Sequence, residues 1–577
     1  MQLLDAAVCH HQAGRLDEAR RIYQRLLTGT PRNADLLHLL GVIHSEQGRH
    51  HDAVDHIRRA IAIAPAAVYQ RNLALALTRL GRDFRESGLI EEALPLLEEA
   101  ARLNSASDTA RANLALCLHE RGNRHFAENR PDQAAADYER AIALQPEFAE
   151  AFYNLGVLRM SQNRVAEARD CYLAAIARKA AYAEAHNNLG SVQLAMGELD
   201  PALASYHRAL EIRPDYVEAR YNLGIALQNA DRFEEARAVY GDILARDPSH
   251  ADAHNNLGGI ALAENRVRDA IAHYRCALAV RADHADAAWN LGLSHLTLGE
   301  FQPGWEGYET RKLPAREFTA PRWRGESLAG KTLLVWAEQG LGDTIQFARY
   351  VPLVPGRVIF ECQPRLGPLV PHSAAPAAPG GYDYHTPLLS LPLLFGTTPD
   401  TIPPVAPLGV PDDRIARWQE VLAGHSGLRV GLCWAANVAN FKGRKRSIPP
   451  AVLARMTAIP GVALFSLQRD ATAEDVAALP GLVRLESEST DILDTAAIVA
   501  SLDLVISVDT MIAHLAGTLA RPVWTLLPFA ADWRWMLDRR DTPWYPSMRL
   551  FRQPRRGDWE TVVEEVRLEL DRLVASL

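Results

Sequence analysis

A three-residue motif recurs along the first half of the chain at a fixed spacing. Asn-Leu-Gly ends at Gly156, Gly190, Gly224, Gly258 and Gly292, so each step is 34 residues. A period of this length is typical of a solenoid built from pairs of helices, in which each unit buries its apolar face only against its neighbours. The 577-residue chain is therefore not a single small binding module.

Other residues keep the same period. An Ala and a Tyr follow the motif at Ala168/Tyr172, Ala202/Tyr206, Ala236/Tyr240 and Ala270/Tyr274. This pattern resembles the tetratricopeptide repeat, in which Gly or Ala lies where two antiparallel helices cross and Leu and Tyr fill the gap. We expect about nine units over residues 1–312. Asn72, Asn113 and Asn154 are 41 residues apart, and we expect the seven extra residues to lengthen a helix by about two turns.

An asparagine occupies one equivalent position of the first helix in seven units. These residues are Asn72, Asn113, Asn154, Asn188, Asn222, Asn256 and Asn290. A carboxamide both donates and accepts, so a row of them can hold the backbone of an extended peptide. The alternative is that each Asn hydrogen-bonds a neighbouring turn. A similar asparagine ladder in the eukaryotic O-linked N-acetylglucosamine transferases holds protein substrates, and this resemblance favours a peptide groove.

Charge and composition exclude several classes of protein. The chain has 62 Lys and Arg against 70 Asp and Glu, a net charge of −8 that argues against a nucleic-acid-coating protein. No apolar run approaches the length of a transmembrane segment, and no signal-peptide pattern opens the chain, so we expect a cytoplasmic protein. The six cysteines are far apart, and their spacing predicts reduced thiols rather than a metal site.

The second half changes character. A stretch rich in Pro and Gly at 313–330 is predicted to be a linker. Six short apolar runs follow, separated by helical lengths, at 333–338, 358–362, 430–435, 462–467, 504–508 and 523–527. These runs predict parallel strands covered by helices on both faces. A Pro-rich stretch at 401–414 divides them into a first α/β lobe (331–415) and a second (416–577) with a cleft between them. The predicted fold class is an α-solenoid followed by two Rossmann-type lobes.

Ligands of such folds bind at the carboxyl ends of strands, so the loops there are candidate sites. After the first run, Gly340 and Gly342 precede Asp343 at a helix start, where the glycines let the backbone approach a ligand. Asp343 alternatively caps that helix. After the third run, the segment 437–446 holds Asn437 and four cations, among them Lys442 and Arg446. This charge suits a diphosphate, although a charged loop is more often simply solvated.

The strongest local signal follows the fifth run. Asp509 and Thr510 begin a helix, Met511 is next, and His514 lies one turn in. Free amides and the dipole at a helix N-terminus favour an anion, and a histidine adds a hydrogen bond or charge. The alternative is an Asp/Thr cap with a packed histidine.

Together these loops resemble GT-B glycosyltransferases of the ADP-heptose:lipopolysaccharide heptosyltransferase type. The matching segments are 342–343, 437–446 and 509–514, and Met511 stands where that family has Gly. The segments FSLQRD, DWRW and DWETV are similar to a bacterial subgroup in which this domain follows tetratricopeptide repeats. The resemblance therefore covers nearly the whole chain and implies a GT-B-like pair of lobes.

The resemblance also implies a reaction. A nucleoside-diphosphate sugar would bind the second lobe, and a polypeptide acceptor would lie in the repeat groove. Asp343 would accept the acceptor's proton in one inverting displacement, while Lys442, Arg446, His514 and the amides near Thr510 would stabilise the leaving diphosphate. The second half has no Asp-x-Asp motif, so we predict neither metal nor cofactor. A second hypothesis is a non-catalytic adaptor with a degenerate transferase domain.

Aromatic residues cluster near the C-terminus, at Trp533, Trp535, Trp544, Tyr545 and Trp559. They are able to stack on a sugar or base, but we expect them to fasten the final helices across both lobes. Arg534, Arg549 and Arg552 fit either ion pairs or phosphate binding, and we leave them outside the predicted site.

Overall fold

The computed structural model describes residues 2–371, 373–374, 381–436, 441–485, 489 and 491–577. Contacts divide the chain into two compact units, Met1–Val239 and Tyr240–Leu577. The first unit is helical. The second contains further helices and two parallel sheets.

Within the described residues, the repeat region contains eighteen helices, and eight successive pairs of them pack together within the two units. They are α1 (Gln2–Gln12), α2 (Leu16–Gly29), α3 (Ala34–Glu46), α4 (His50–Ile63), α5 (Ala67–Glu86), α6 (Ile90–Leu103), α7 (Asp108–Ala127), α8 (Pro131–Leu144), α9 (Ala149–Ser161), α10 (Val165–Arg178), α11 (Ala183–Ala195), α12 (Leu199–Ile212), α13 (Val217–Asn229), α14 (Phe233–Arg246), α15 (Ala251–Ala263), α16 (Val267–Val280), α17 (Ala285–Thr297) and α18 (Phe301–Tyr308). Eighteen helices are the number that nine two-helix units require, and the predicted bounds of the repeat domain stay a prediction.

Glycine lies where the two helices of a pair cross. A Cβ on Gly156 would lie 2.7 Å from Cε1 of Tyr172, and a Cβ on Gly258 would lie 2.5 Å from Cε1 of Tyr274. Both tyrosines are almost completely buried. The predicted division of roles between a small residue at the crossing and a filling tyrosine is therefore confirmed.

The two repeats with the 41-residue spacing have longer first helices. Helices α5 and α7 each have 20 residues, whereas α9 and α11 each have 13. The difference of seven residues equals the extra spacing, and it corresponds to about two helical turns. The predicted lengthening of a helix is confirmed.

The α/β part of the second unit follows α18 after a stretch with no helix or strand in the described residues 312–331 except one isolated bridge, Arg322–His385. Its elements are β1 (Thr332–Trp336), α19 (Leu341–Phe347), β2 (Arg357–Glu361), β3 (Ser373–Ala374), β4 (Tyr384–Pro387), α20 (Leu391–Leu394), α21 (Asp412–Ala423), β5 (Leu428–Cys433), α22 (Phe441–Arg446), α23 (Pro450–Leu453), β6 (Val462–Ser466), α24 (Ala473–Ala477), α25 (Ile492–Ser501), β7 (Leu504–Val508), α26 (Met511–Thr518), β8 (Val523–Leu527), β9 (Met548–Arg552) and α27 (Trp559–Ala575). In the part of the chain that the structure describes, four short 3-10 helices lie at Ala348–Leu353, Leu388–Ser390, Ala454–Met456 and Trp533–Trp535.

Both sheets are parallel in every pairing described. The first sheet has the order β3-β2-β1-β4 and the second sheet has the order β6-β5-β7-β8-β9. The six predicted runs form β1, β2, β5, β6, β7 and β8, so the predicted parallel strands are confirmed. Strands β3, β4 and β9 were not predicted, since β3 has only two residues and β4 is a polar tetrapeptide that ends in proline.

One hydrophobic core joins the last repeat to both sheets inside the second unit. It contains Trp305 of α18 together with Trp533, Trp535, Trp544 and residues of both sheets. The rings of Trp305 and Trp533 meet edge to face with centroids 5.3 Å apart, and Trp305 Nε1 donates to the carbonyl of Thr397. Trp533, Trp535, Trp544 and Tyr545 therefore fasten both sheets, as predicted, whereas Trp559 packs with α27 in a separate cluster on the second sheet.

None of the helices in the described part of the chain combines the length and the apolar character that a bilayer crossing requires.

Candidate functional site

A cavity of about 970 Å³ opens at the carboxyl edge of the second sheet. Strand β6 lies on one side of β5, and the next strand in the chain, β7, lies on the other side of β5. The direction in which strands are added to the sheet therefore reverses between β5 and β7. Such a reversal leaves a crevice that is the usual ligand site of open parallel sheets. Residues 433–436, 466–470 and 510–512 line the cavity, and Leu341 and Arg365 reach it from the first sheet.

Helix α26 begins at the cavity wall. Thr510 is its N-cap residue in an extended conformation, and no side chain caps the helix. The amides of Met511 and Ile512 have no acceptor within the described chain, and both residues line the cavity. Free amides and the helix dipole give this wall a partial positive charge. The predicted candidates Thr510 and Met511 therefore lie at the cavity.

Gln468 joins the strand ends beneath the cavity, and sequence reasoning missed it. Its Oε1 accepts from the Ala435 amide at 2.9 Å and from the Cys433 thiol at 3.4 Å. The Cys433 sulfur also lies 3.7 Å from Thr510 Oγ1, and burial raises the pKa of the thiol. Hydrogen bonds between uncharged groups thus link the ends of β5, β6 and β7. The charged side chains of the site lie elsewhere in the cavity lining.

The basic segment before α23 divides into described and undescribed parts. Asn437 and the side chain of Lys442 lie outside the described residues. Arg444 lines the cavity. Arg446 Nη1 donates to Asp509 Oδ2 at 3.1 Å, so this predicted phosphate ligand already has an anionic partner in the protein.

Asp509 and His514 lie behind the start of α26 and are buried. Burial raises the pKa of Asp509, and the nearby Asp532 adds to that effect. Burial lowers the pKa of His514 to about 3, with a further contribution from the Arg534 guanidinium. His514 Nδ1 lies 3.0 Å from the Tyr545 hydroxyl. His514 is therefore neutral near pH 7 and supplies no positive charge.

Helix α19 of the first sheet packs directly against α26 of the second. A Cβ on Gly342 would lie 2.8 Å from His514 Cδ2 and 3.5 Å from Met511 Cα. Gly342 therefore permits the close approach of the two helix starts. Gly340 contributes its amide, which donates to Asp343 Oδ2 at 2.9 Å.

Asp343 has partners on both carboxylate oxygens. Oδ2 accepts from Gly340, which is the capping contact that the alternative interpretation expected, and Oδ1 accepts from Arg534 Nη2. Arg534 also donates to Asp532 Oδ1 and Gln346 Oε1, each at 2.8 Å. The Asp343 side chain is 23% exposed and that of Arg534 is 8% exposed. A carboxylate can accept about four hydrogen bonds, so Asp343 is still able to accept a hydrogen bond from another donor.

In the first unit, most of the predicted groove asparagines donate to the preceding repeat. The acceptors lie 34 or 35 residues earlier: His38 Nε2 for Asn72 (2.7 Å), His119 Nε2 for Asn154 (2.8 Å), Tyr153 Oη for Asn188 (3.1 Å) and Asn187 Oδ1 for Asn222 (3.0 Å). Asn113 instead donates to the Thr109 carbonyl in its own helix. Each amide therefore has a fixed orientation.

In the second unit, Asn256 Nδ2 donates to the Tyr240 hydroxyl and Asn290 Nδ2 donates to Asn255 Oδ1. The carbonyl oxygens of five asparagines accept no hydrogen bond from the described chain: Asn72, Asn113, Asn154, Asn222 and Asn290. All seven are half-buried. The asparagines thus have a structural function through their N–H groups, and these five carbonyl oxygens have no donor in the described chain.

Across the described residues, no three His, Cys, Asp or Glu side chains converge in a way that would hold a metal ion. The prediction of metal-independent chemistry stays a prediction.

Comparison with known proteins identifies the repeats. Profiles described as tetratricopeptide repeat match residues 2–66, 78–124, 119–184, 155–217, 193–258 and 260–302. Protein FlbA of Caulobacter vibrioides is 29% identical over 324 residues, which cover 49% of this chain and 54% of FlbA. Protein O-mannosyl-transferase TMTC1 of Mus musculus is 29% identical over 134 residues, 23% of this chain and 13% of TMTC1. The chain thus spans about half of one of these relatives and much less of the other.

Solved structures with similar repeats include YrrB, described as a TPR protein with an unusual peptide-binding site. YrrB is 25% identical, and the match covers 33% of this chain and 95% of YrrB with a TM-score of 0.29. Yeast Tom70 is 14% identical over 53% of this chain and 76% of Tom70, also with a TM-score of 0.29. The N-terminal part of the chain, through residue 302, is an array of tetratricopeptide repeats.

Proposed function

We propose that the protein is a glycosyltransferase that moves a sugar from a nucleoside-diphosphate sugar to a polypeptide held by the repeats. The observation that carries this proposal is the 970 Å³ cavity at the reversal of strand order, with the uncapped start of α26 in its wall. Ligand sites of about 300–1,000 Å³ accept molecules of this size, and a helix N-terminus favours a diphosphate.

A GT-B arrangement is part of the proposal. Its basis is two all-parallel sheets in one compact unit, each with helices that follow its strands. The donor would bind the second sheet and the acceptor would approach from the first. Leu341 lines the donor cavity, and Asp343 lies two residues further along α19. This proximity supports Asp343 as the group that receives the acceptor's proton.

The proposed reaction is a single inverting displacement. The acceptor hydroxyl attacks the anomeric carbon, the bond from that carbon to the diphosphate oxygen breaks, and the hydroxyl proton passes to Asp343. Negative charge grows on the departing diphosphate, where the amides of Met511 and Ile512 and the Arg444 side chain would stabilise it. The reaction as proposed needs no metal ion.

The proposed acceptor is a polypeptide in an extended conformation. The side-chain carbonyl oxygens of the asparagine ladder that accept no hydrogen bond are suited to backbone N–H donors. Every residue of a peptide except proline presents such a donor. A relative named protein O-mannosyl-transferase adds weaker support, since its similarity covers only 134 residues. The sugar, the base and the hexosyl or heptosyl class stay open in this proposal.

A second candidate function is a non-catalytic adaptor, in which the repeats bind partners and the α/β part senses a nucleotide. The observation that favours it is the pairing of Asp343 with both Gly340 and Arg534. A carboxylate held in this way has a complete structural function without catalysis.

Sugar transfer by the full chain separates the two candidates. The chain is co-expressed with its host's proteins, purified with any bound partners, and supplied with ADP-, UDP- or GDP-sugars, and intact masses are recorded. We expect one sugar mass to be added by the native chain and by Asp400→Asn, a control at an exposed carboxylate. Asp343→Asn should abolish the addition while leaving donor binding intact. Donor binding without any mass addition would favour the adaptor.

A further inference from the structure

An arginine of the first sheet reaches the cavity of the second. Arg365 follows β2 and is exposed. Among the described residues that line the cavity, Arg365 and Leu341 are the two that come from the region of the first sheet. Within the described chain, no carboxylate or carbonyl accepts a hydrogen bond from its guanidinium. A cation without a partner at the mouth of a cavity is available to a ligand, whereas Arg446 is engaged with Asp509.

The turn that carries Arg365 is fixed in place. The Leu366 amide donates to the Gln363 carbonyl at 2.8 Å, and the Leu366 side chain is fully buried. The Gln363 side chain donates to the Gln339 carbonyl and accepts from Thr344 Oγ1 at 2.9 Å. These bonds hold the turn against the start of α19. The backbone beneath Arg365 is therefore ordered before a ligand arrives, which lowers the entropic cost of binding.

Helix α19 connects this turn to the positive wall of the cavity. Its residue Gly342 lies against Met511, at the first position of α26. Because Gln363 fixes the turn to α19 and α19 packs on α26, Arg365 lies on the side of the cavity where the free amides are. Two positive features, one from each sheet, therefore meet at the same ligand space.

The opposite side of the cavity carries more acidic than basic side chains. Asp470, Asp475 and one cation, Arg469, follow β6 and line the cavity there. Strands β6 and β7 lie on either side of β5, so their ends are about 10 Å apart. A phosphate would be repelled near β6 and attracted near α26. This polarity orients a nucleotide with its phosphates toward Arg365.

We infer that Arg365 binds the diphosphate of the ligand together with the amides of Met511 and Ile512, so that the ligand bridges the two sheets. This inference rests on the proposed nucleoside-diphosphate site. A planar guanidinium makes paired hydrogen bonds to phosphate oxygens, which gives it geometric as well as electrostatic preference for this group. Arg365 was not among the residues predicted from the sequence, because nothing in the segment QPRLG marks it.

Calorimetric titration of the full chain tests this assignment. The probes are ADP, UDP and inorganic pyrophosphate, with adenosine and uridine as ligands that lack phosphate. Arg365→Gln is compared with Arg357→Gln, since Arg357 is also exposed and belongs to β2, but at its amino end, away from the cavity. Both changes remove one charge from the same sheet.

We expect Arg365→Gln to raise the Kd of the diphosphates about tenfold or more, as the loss of a charge-assisted hydrogen bond predicts. Arg357→Gln should leave it within about twofold, and nucleoside binding should be unchanged in both variants. Equal weakening by the two variants, or native diphosphate affinity in Arg365→Gln, would overturn the inference while leaving the proposed function in place. Failure of the native chain to bind any diphosphate would overturn both.

Discussion

Arg534 donates a hydrogen bond to Asp343, and the two residues are 191 positions apart in the chain. Asp343 lies in the first turn of α19, after β1 of the first sheet, and Arg534 follows β8 of the second. The contact therefore joins the two sheets at the point where α19 and α26 meet. Asp532 and Gln346 hold the guanidinium from its other sides.

Replacement of Arg534 should strongly destabilise the α/β part. Arg534→Met leaves Asp343 and the half-buried Asp532 without their cation. The loss of one partner from a buried ion pair costs about 3–5 kcal/mol, and the partial exposure of both carboxylates places the expected cost at the lower end of that range. The measurement is guanidinium unfolding followed by tryptophan fluorescence. The control is Arg540→Met, because the Arg540 side chain is 73% exposed and its pair with Glu565 should contribute no more than about 1 kcal/mol. Equal midpoints in the two variants would contradict this account.

A methyl group at a helix crossing should destabilise the repeats. Gly258→Ala would place Cβ 2.5 Å from the Tyr274 ring, and overpacking of this kind costs about 1–3 kcal/mol. Gly241→Ala, in the neighbouring α14, meets nothing within 4 Å and should be neutral or stabilising. Thermal unfolding followed by circular dichroism distinguishes the two. A stabilised Gly258→Ala would show that the crossing is looser than the structure indicates.

Stability should depend on pH through His514. Burial lowers its pKa to about 3 from an ordinary value near 6.5, so between these values the unfolded chain binds a proton that the folded chain does not. Unfolding free energy should therefore decrease as the pH falls from about 6.5 toward 3, by up to about 1.4 kcal/mol per pH unit from this residue. His514→Asn should remove that part of the pH dependence, whereas His51→Asn, at an exposed site, should not. Parallel pH profiles for all three proteins would refute the prediction.

The asparagine ladder allows its structural and binding functions to be separated. Asn154→Ala removes the bonds to His119 and Asn123 and should cost about 1 kcal/mol of stability. Asn113→Ala removes only a bond to the carbonyl of Thr109 in the same helix and should cost less. If the free carbonyl oxygens bind peptide, both variants should weaken peptide capture to a similar degree. Loss of capture in Asn154→Ala alone would assign the ladder to stability.

The sequence predicted those features that depend on local periodicity. The crossing of Gly156 with Tyr172 and the lengthened α5 and α7 follow from spacing alone, because each repeat contacts its neighbours in a regular way. Strand β7 was predicted because a buried parallel strand is continuously apolar. Strand β4 was not, because its polar residues are covered by contacts distant in the chain.

The candidate site was less predictable, because its contacts join distant segments. The amides at the start of α26 could be inferred from a strand followed by Asp-Thr. Arg446 binds Asp509, which is 63 residues away in the chain, and Arg534 binds Asp343, which is 191 residues away. No local sequence pattern specifies such pairs. The segment DWRW offered one signal, since Asp532 lies two residues before Arg534 and binds it. The neutral state of His514 depends on burial, which spacing alone does not reveal.

Donor binding to the cavity decides whether the α/β part accepts a nucleoside-diphosphate sugar. The full chain is titrated with ADP-, UDP- and GDP-sugars alongside Met511→Glu, which places a carboxylate at the first position of α26 in the cavity wall. We expect micromolar binding of at least one donor by the native chain and a loss of affinity of at least about tenfold in the variant, because a negative charge there opposes the phosphates. The absence of binding by the native chain, or equal binding by the variant, would contradict this expectation.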